Sequence, residues 1–343
     1  MSKLHNTKKE KFWNGAKVSI LTEGGKDIGF GHITRCVSLC EAFEKKGIKP
    51  EFIINGDDSI SKLLKGKKYR IFNWLKEKER LFNLICDANI GIVDSYLADS
   101  ELYRKISEIV KVPVYIDDNK RLAFPKGIVV NGAIYAKDID YVKDRNVTYL
   151  LGIQYMPLRR EFWNIPRKVI RKKIESIMVT FGGDDKKNMT PRISKFLTDK
   201  YPELTKNIII SNGFKKIKKI KDLKDKKTNL IYSPDVKKIK KTMLESDLAI
   251  SAGGQTLYEF ARIGIPTIGI CIAENQLNNI KGWKEAGFLK DSYWYNERGL
   301  LERLRHCMAQ LEDQATRNFR SAIGRKYIDG KGGLRIVEFL KGL

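Results

Sequence analysis

Apolar residues in this chain gather into short runs, separated by longer stretches in which they recur every three or four positions. Short apolar runs bounded by turn residues predict buried strands, and the periodic stretches predict helices packed against them. In the first half this places strands at 18–21, 51–54, 90–93, 114–116 and 128–130, with helical patterns at 32–46, 59–65, 74–88 and 99–110. A proline and aromatic cluster at 156–166 interrupts the alternation. It resumes with strands at 177–181, 207–211, 229–232, 248–251 and 266–270, and helices near 189–200, 236–246, 255–263, 276–286 and 297–322. Strands alternating with helices predict an α/β protein with parallel sheets. The expected organisation is a basic N-terminal extension (1–15), a Rossmann-like domain (16–155), a linker (156–175), a second Rossmann-like domain (176–325) and a closing segment (326–343). Two such domains facing a central cleft are the natural reading.

Each half opens with a strand that feeds a glycine-rich turn. In the first, Gly29-Phe30-Gly31-His32-Ile33-Thr34-Arg35 follows an apolar run and begins an amphipathic helix. Glycines there let the backbone turn sharply and approach a ligand. His32 is one of three histidines, with His5 and His306, and falls at a helix N-terminus. The helix dipole disfavours a charged imidazole at that spot, which suits a neutral base or hydrogen-bond partner. A histidine that merely caps the helix is the plain alternative. Asp94 and Tyr96 end one strand, and Asp117 and Asp118 follow another, so Asp94, Tyr96 and Asp117 share a rim with His32.

The second half carries the denser signal, Asp247-Leu-Ala-Ile-Ser251-Ala-Gly253-Gly254-Gln-Thr256-Leu-Tyr-Glu259. A buried strand ends in a Ser/Gly turn whose amides can face an anion, and Thr256 starts a helix. Glu259, one turn in, is placed to accept hydrogen bonds from a ribose diol. Ala273-Glu274-Asn275-Gln276 follows the next strand, at the carboxyl edge where ligands of α/β sheets bind. Phe181-Gly182-Gly183-Asp184-Asp185 is a second, weaker anion-binding turn. Neither half contains GxGxxG with an acidic residue about 20 positions on, which argues against a dinucleotide cofactor.

Composition narrows the class. Of 343 residues, 42% are hydrophobic and 31% charged, and no apolar run approaches the ~18 residues of a membrane helix. The lysine-rich start lacks the apolar core of a secretory signal, so a cytoplasmic location is expected. Five cysteines (Cys36, Cys40, Cys86, Cys271, Cys307) without a CxxC pair are expected as reduced thiols. His32, Cys36 and Cys40 share a helical face, but Leu39 and Phe43 extend that face as an apolar stripe, so packing is preferred to a metal. The net charge of +25 is spread widely, and its one dense run, Lys215 to Lys227, has no interleaved aromatics. That run reads as a solvated face, and nucleic acid is not expected as a partner.

Together these motifs resemble the PseG/SpsG-type nucleotide-sugar hydrolases. The resemblance rests on Gly29-Phe-Gly-His32-Ile-Thr-Arg35-Cys36, Asp94-Ser-Tyr96, Ile116-Asp-Asp118, Phe181-Gly-Gly-Asp184, Ser251-Ala-Gly-Gly254, Glu274-Asn-Gln276 and Asp329-Gly-Lys-Gly332-Gly-Leu-Arg335-Ile. It implies a GT-B fold related to the MurG glycosyltransferase, with a closing helix packed back across the domains. The implied substrate is UDP-2,4-diacetamido-2,4,6-trideoxy-β-L-altropyranose, an intermediate of pseudaminic acid biosynthesis, and no cofactor or metal is implied. His32 would act on the attacking water. Gly31, Arg35, Asp94, Tyr96, Asp117, Asn275 and Gln276 would line the sugar site. Gly182, Gly183, Ser251, Gly253, Gly254, Thr256 and Glu259 would hold UDP. Members often carry an arginine just after the first strand, whereas this chain reads Leu21-Thr22-Glu23-Gly24-Gly25, which bears on sugar identity.

The expected reaction is cleavage of C1–O by water, with the diphosphate departing among backbone amides. Two rivals remain at this point. One is a GT-B glycosyltransferase in which a hydroxyl replaces water, and the other is a binding protein for nucleotide sugars or nucleic acid. A monomer is the simplest expectation.

Overall fold

Parallel strands buried on both faces need helices on either side, and each half of the chain is built that way. The computed structural model describes residues 13, 15–26, 28–211, 213–214 and 217–343, and divides into two units. The first comprises Met1–Arg160 with Gly330–Leu343, the second Glu161–Asp329.

Among the described residues, the first unit holds a parallel sheet of β1 (Val18–Gly24), β2 (Glu51–Gly56), β3 (Lys68–Ile71), β4 (Ile90–Asp94), β5 (Val112–Ile116), β6 (Gly127–Asn131) and β7 (Val147–Leu151). Their order is β3-β2-β1-β4-β5-β6-β7, so the strand order reverses between β1 and β4. Both of these strands are buried throughout. The edge strands β3 and β7 are not predicted from sequence. Lys68, Tyr69 and Arg70 of β3 are exposed, so that strand has no apolar run to betray it.

The helices are α1 (Gly31–Lys45), α2 (Lys78–Ile85) and α3 (Ser100–Ile109). The helix expected at 59–65 is only a 3-10 turn, Asp58–Ile60, held by the Asp57 carboxylate accepting from Ser59 N at 2.8 Å. Most of the basic extension lies outside the described residues. Its Trp13, however, is buried, stacks on Phe43 with centroids 6.1 Å apart and donates Nε1–H to the Lys46 carbonyl at 3.4 Å.

The second unit repeats the plan. Its strands are β8 (Ser176–Thr180), β9 (Thr205–Ile210), β10 (Thr228–Tyr232), β11 (Leu248–Ala252), β12 (Thr267–Cys271) and β13 (Tyr293–Trp294), ordered β10-β9-β8-β11-β12-β13. Here the reversal falls between β8 and β11. The helices are α4 (Met189–Lys200), α5 (Ile217–Asp222), α6 (Val236–Glu245), α7 (Thr256–Ile263), α8 (Leu277–Glu285), α9 (Leu300–Leu311) and α10 (Gln314–Tyr327). In the lysine run, α5 buries Ile220 and turns its lysines outward, while Lys215 and Lys216 lie outside the described residues.

The single helix expected at 297–322 is two helices. Asp313 breaks it, its carboxylate accepting from Ala315 N at 3.3 Å and Thr316 N at 2.7 Å. The closing helix α11 (Gly332–Lys341) groups with the first unit and packs on α1. Its start needs glycine: a Cβ on Gly332 would meet the Met156 carbonyl oxygen at 2.2 Å.

Candidate functional site

In open α/β sheets ligands bind beyond the carboxyl ends of strands where the strand order reverses. In the first unit that point lies past β1 and β4, whose register pairs Thr22 with Asp94. The chain leaving β1 closes a small loop, in which Gly25 and Gly29 exchange backbone hydrogen bonds of 3.0 and 2.8 Å. Gly29 sits at φ +97°, a conformation that favours glycine. The loop delivers the first turn of α1, with His32, over the end of β4.

Asp94 is fully buried and organises that corner. His32 Nδ1 lies 2.6 Å from its Oδ1, while Arg35 donates from Nε to Oδ2 at 2.8 Å and from Nη2 to Oδ1 at 2.6 Å. Arg35 also donates from Nη1 to Asp118 at 3.0 Å, and the Tyr96 hydroxyl donates to Asp118 at 2.6 Å. The Tyr96 and His32 rings meet edge to face, centroids 4.4 Å apart. Burial works against a charge on Asp94, but Arg35 and His32 beside it hold its carboxyl well below the usual carboxylate range. Burial and the Asp118 charge push the Tyr96 phenol well above its ordinary value, so it stays a donor.

An ionised carboxylate only accepts, so the proton of a neutral His32 ring sits on Nδ1 and the lone pair on Nε2. The His32 side chain is 13% exposed. A buried carboxylate orienting an imidazole in this way is the arrangement of a general base.

Several residues expected at the rim take other positions. Asp94 lies beneath His32 with both oxygens bonded, so it orients and does not face a sugar. Asp117 does not join the group. It is 5% exposed, and its carboxylate accepts from Lys120 N at 2.9 Å and from the Tyr141 hydroxyl. Asp118 takes the place expected of Asp117, because the chain turns outward one residue later. Gly31 is exposed, with open space where a side chain would stand.

Glu23 was noted only as a departure, and its role emerges here. Buried at 1% exposure, it accepts from Tyr96 N at 2.7 Å and from the Ser95 hydroxyl, so it fixes the turn that carries Tyr96. Every residue of β1 is buried, so no alternation marked which face Glu23 would occupy. Cys36 and Cys40 are buried in α1, and no group of three or more metal-ligating side chains is found among the described residues.

In the second unit the reversal point lies past β8 and β11, where Thr180 pairs with Ser251. The two glycine turns are therefore neighbours. Gly182, at φ +83°, is exposed and Gly183 half-buried. The Asp185 carboxylate accepts from Met189 N and Thr190 N, both at 2.8 Å, and caps α4. Burial pushes its pKa up to about 6, against the pull of those amides.

The second turn is more tightly tied than expected. Gln276 Oε1 accepts from Gly253 N at 3.2 Å and Ile272 N at 3.1 Å, so Gln276 locks the turn and Gly253 does not offer its amide. A Cβ on Gly253 would meet Ile280 Cγ1 at 2.6 Å. Ser251 is buried, its hydroxyl donating to the Ala252 carbonyl at 3.0 Å. Glu259 is buried at 1% exposure, inside the unit and not displayed on the turn. Gly254 and Thr256 are half-buried at the mouth of α7, and Asn275 is exposed beside them.

No protein-family model matches the chain. A Helicobacter pylori protein named pseudaminic acid cytidylyltransferase and UDP-2,4-diacetamido-2,4,6-trideoxy-beta-L-altropyranose hydrolase is 26% identical over 80% of this chain and 48% of its own length. The spore coat polysaccharide biosynthesis protein SpsG of Bacillus subtilis is 25% identical over 95% of this chain and 98% of its own. The chain spans about half the length of two of the curated relatives it matches, 55% of one and 48% of the other. Among solved structures, MurG of Acinetobacter baumannii superposes with a TM-score of 0.65 at 14% identity, covering 96% of this chain and 100% of that one. No described helix is long and apolar enough to cross a membrane. By sequence the chain is thus similar to the PseG and SpsG proteins, and by architecture it is a GT-B protein.

Proposed function

We propose that this protein is a nucleotide-sugar enzyme that hydrolyses a UDP-linked amino sugar, releasing UDP and the free sugar. The His32–Asp94 pair carries this reading, because it leaves one imidazole nitrogen as an acceptor for a water proton. In the reaction a water oxygen bonds to C1 as its proton passes to His32 Nε2. The C1–O bond to the diphosphate breaks, and its electron pair leaves with UDP. A base so positioned contributes about 10²–10⁴-fold.

The second unit would hold the leaving group through Gly182, Gly183, Gly254 and Thr256, with Asn275 near the sugar. Fixed amides facing a departing phosphate are worth several kcal/mol. Tyr96, held by Asp118 and Glu23, would contact the sugar. By likeness to the Helicobacter relative, that sugar is 2,4-diacetamido-2,4,6-trideoxy-L-altrose.

Transfer to a sugar hydroxyl is the second reading, favoured by the MurG likeness. Purified protein incubated with UDP-2,4-diacetamido-2,4,6-trideoxy-β-L-altropyranose and no acceptor decides between them. UDP and free sugar in equal amounts are expected. UDP release only when an acceptor is added would establish transfer instead.

A further inference from the structure

Two arginines one turn apart on α10 meet different fates. Arg317 is buried and places its guanidinium on four carbonyls, those of Leu311, Glu312, Arg171 and Lys172, at 2.5 to 2.9 Å. Arg320 is equally sequestered, at 5% exposure, yet its Nη1 has no hydrogen-bond partner among the described residues. Leaving a buried charged donor unmet is unfavourable.

Arg320 forms part of the wall of a recess of about 570 Å³ between α8 and α10, with Lys284 and Lys290 on its rim. Neither lysine has an ion-pair partner among the described residues. The one carboxylate in the wall, Asp313, is already committed to Ala315 N, Thr316 N and the Thr316 hydroxyl. The recess therefore presents three cations against one carboxylate whose oxygens already accept from α10, and Phe319, 61% exposed, stands beside them.

We infer that this recess binds a phosphate group, carried by inorganic phosphate or by a small phosphate ester, with Arg320 at its floor and Lys284 and Lys290 at its rim. A guanidinium paired with ammonium groups suits a tetrahedral oxyanion. The site is separate from the nucleotide turn. α8 starts beside Gln276, next to that turn, and Lys284 lies eight residues further on, about 12 Å along the helix. It needs no assumption about the reaction, and it would let a phosphorylated metabolite stabilise the second unit.

Lysine acylation followed by peptide mass spectrometry tests this on the full chain. Phosphate at about twice its dissociation constant should slow labelling of Lys284 and Lys290 about threefold against chloride of equal ionic strength, with Lys105 and Lys111 unaffected. Protection by inorganic phosphate identifies the free ion as sufficient, and protection by phenyl phosphate alone identifies an ester that also uses Phe319. Protection by neither overturns the inference, leaving solvent as the partner of Arg320. Arg320→Gln should abolish protection, and its persistence would also overturn the proposal. Should that variant fail to fold, phosphate-dependent thermal stabilisation of the native chain must disappear in the K284Q/K290Q double variant.

Discussion

The two reversal points of this protein sit at equivalent places in their sheets and are built from opposite materials. Past β1 and β4 stands a network of hydrogen-bonded and ion-paired side chains, with Asp94 at its base, Arg35 binding it to Asp118, and His32 and Tyr96 resting on those two carboxylates. Past β8 and β11 stand glycines and short polar residues whose fixed groups are backbone amides. A proton-moving group must be held in one orientation, which takes buried charge and several partners. A phosphate needs only donors at close range, which takes absence of side chains. Under the proposed function the contrast is a division of labour, and substitutions at each end should break it differently.

The largest effect is expected at His32. His32→Ala should lower the turnover of UDP release about 10²–10⁴-fold while UDP affinity by calorimetry stays within about twofold. Equal loss of rate and UDP affinity would show that the two regions do not divide the work.

Next comes Asp94→Asn, which leaves Arg35 without its buried counter-charge. Removing one partner of a buried pair destabilises by about 3–5 kcal/mol, readable by urea unfolding of the first unit. Because the folded carboxyl titrates well below its ordinary value, its stabilisation is complete above about pH 4, near the unfolded value, and drains away as pH falls further toward the folded one. The gap between wild type and Asp94→Asn should therefore be constant from pH 5 to 8 and narrow below pH 4. A gap that widens with acid would contradict the ion-pair account.

The second region should respond through space and not charge. Gly253→Ala places a methyl 2.6 Å from Ile280 Cγ1 and should destabilise by about 1–3 kcal/mol. Gly254→Ala, whose nearest neighbour would be Gln276 Nε2 at 3.9 Å, should change stability by less than about 0.5 kcal/mol. Its effect belongs instead in UDP affinity. Similar stability losses at both glycines would mean that the turn is packed uniformly and offers no open face.

How legible this was differs between the regions for the same physical reason. Parallel α/β architecture shows in the sequence because buried strands are written as apolar runs. β3 stayed hidden because an edge strand such as Lys68–Ile71 can be polar. His32 and the glycine turns were recognisable as motifs, since their chemistry is local. What tied them down was not, because it lies far away in sequence. Glu23 reaches 73 residues to Tyr96, and Gln276 reaches back 23 residues to Gly253. Asp117 and Asp118 are adjacent and chemically identical, so only the direction of the chain leaving β5 could separate them.

That pair supplies the finest test. Asp118 is partly open, at 24% side-chain exposure, and it links the Tyr96 hydroxyl to Arg35. Asp118→Asn keeps an acceptor for Tyr96 but removes the charge facing Arg35, so a change of about 0.5–1.5 kcal/mol is expected, seen chiefly as a two- to tenfold fall in turnover. Asp117→Asn alters a carboxylate that serves Lys120 N and Tyr141, away from His32, and a loss of similar size should fall on unfolding free energy with turnover unchanged. The two variants differ by one position in sequence and should exchange their phenotypes if the sequence reading of the rim, with Asp117 facing the sugar, were right. Measuring kcat and urea midpoint for both settles which aspartate belongs to the imidazole's network.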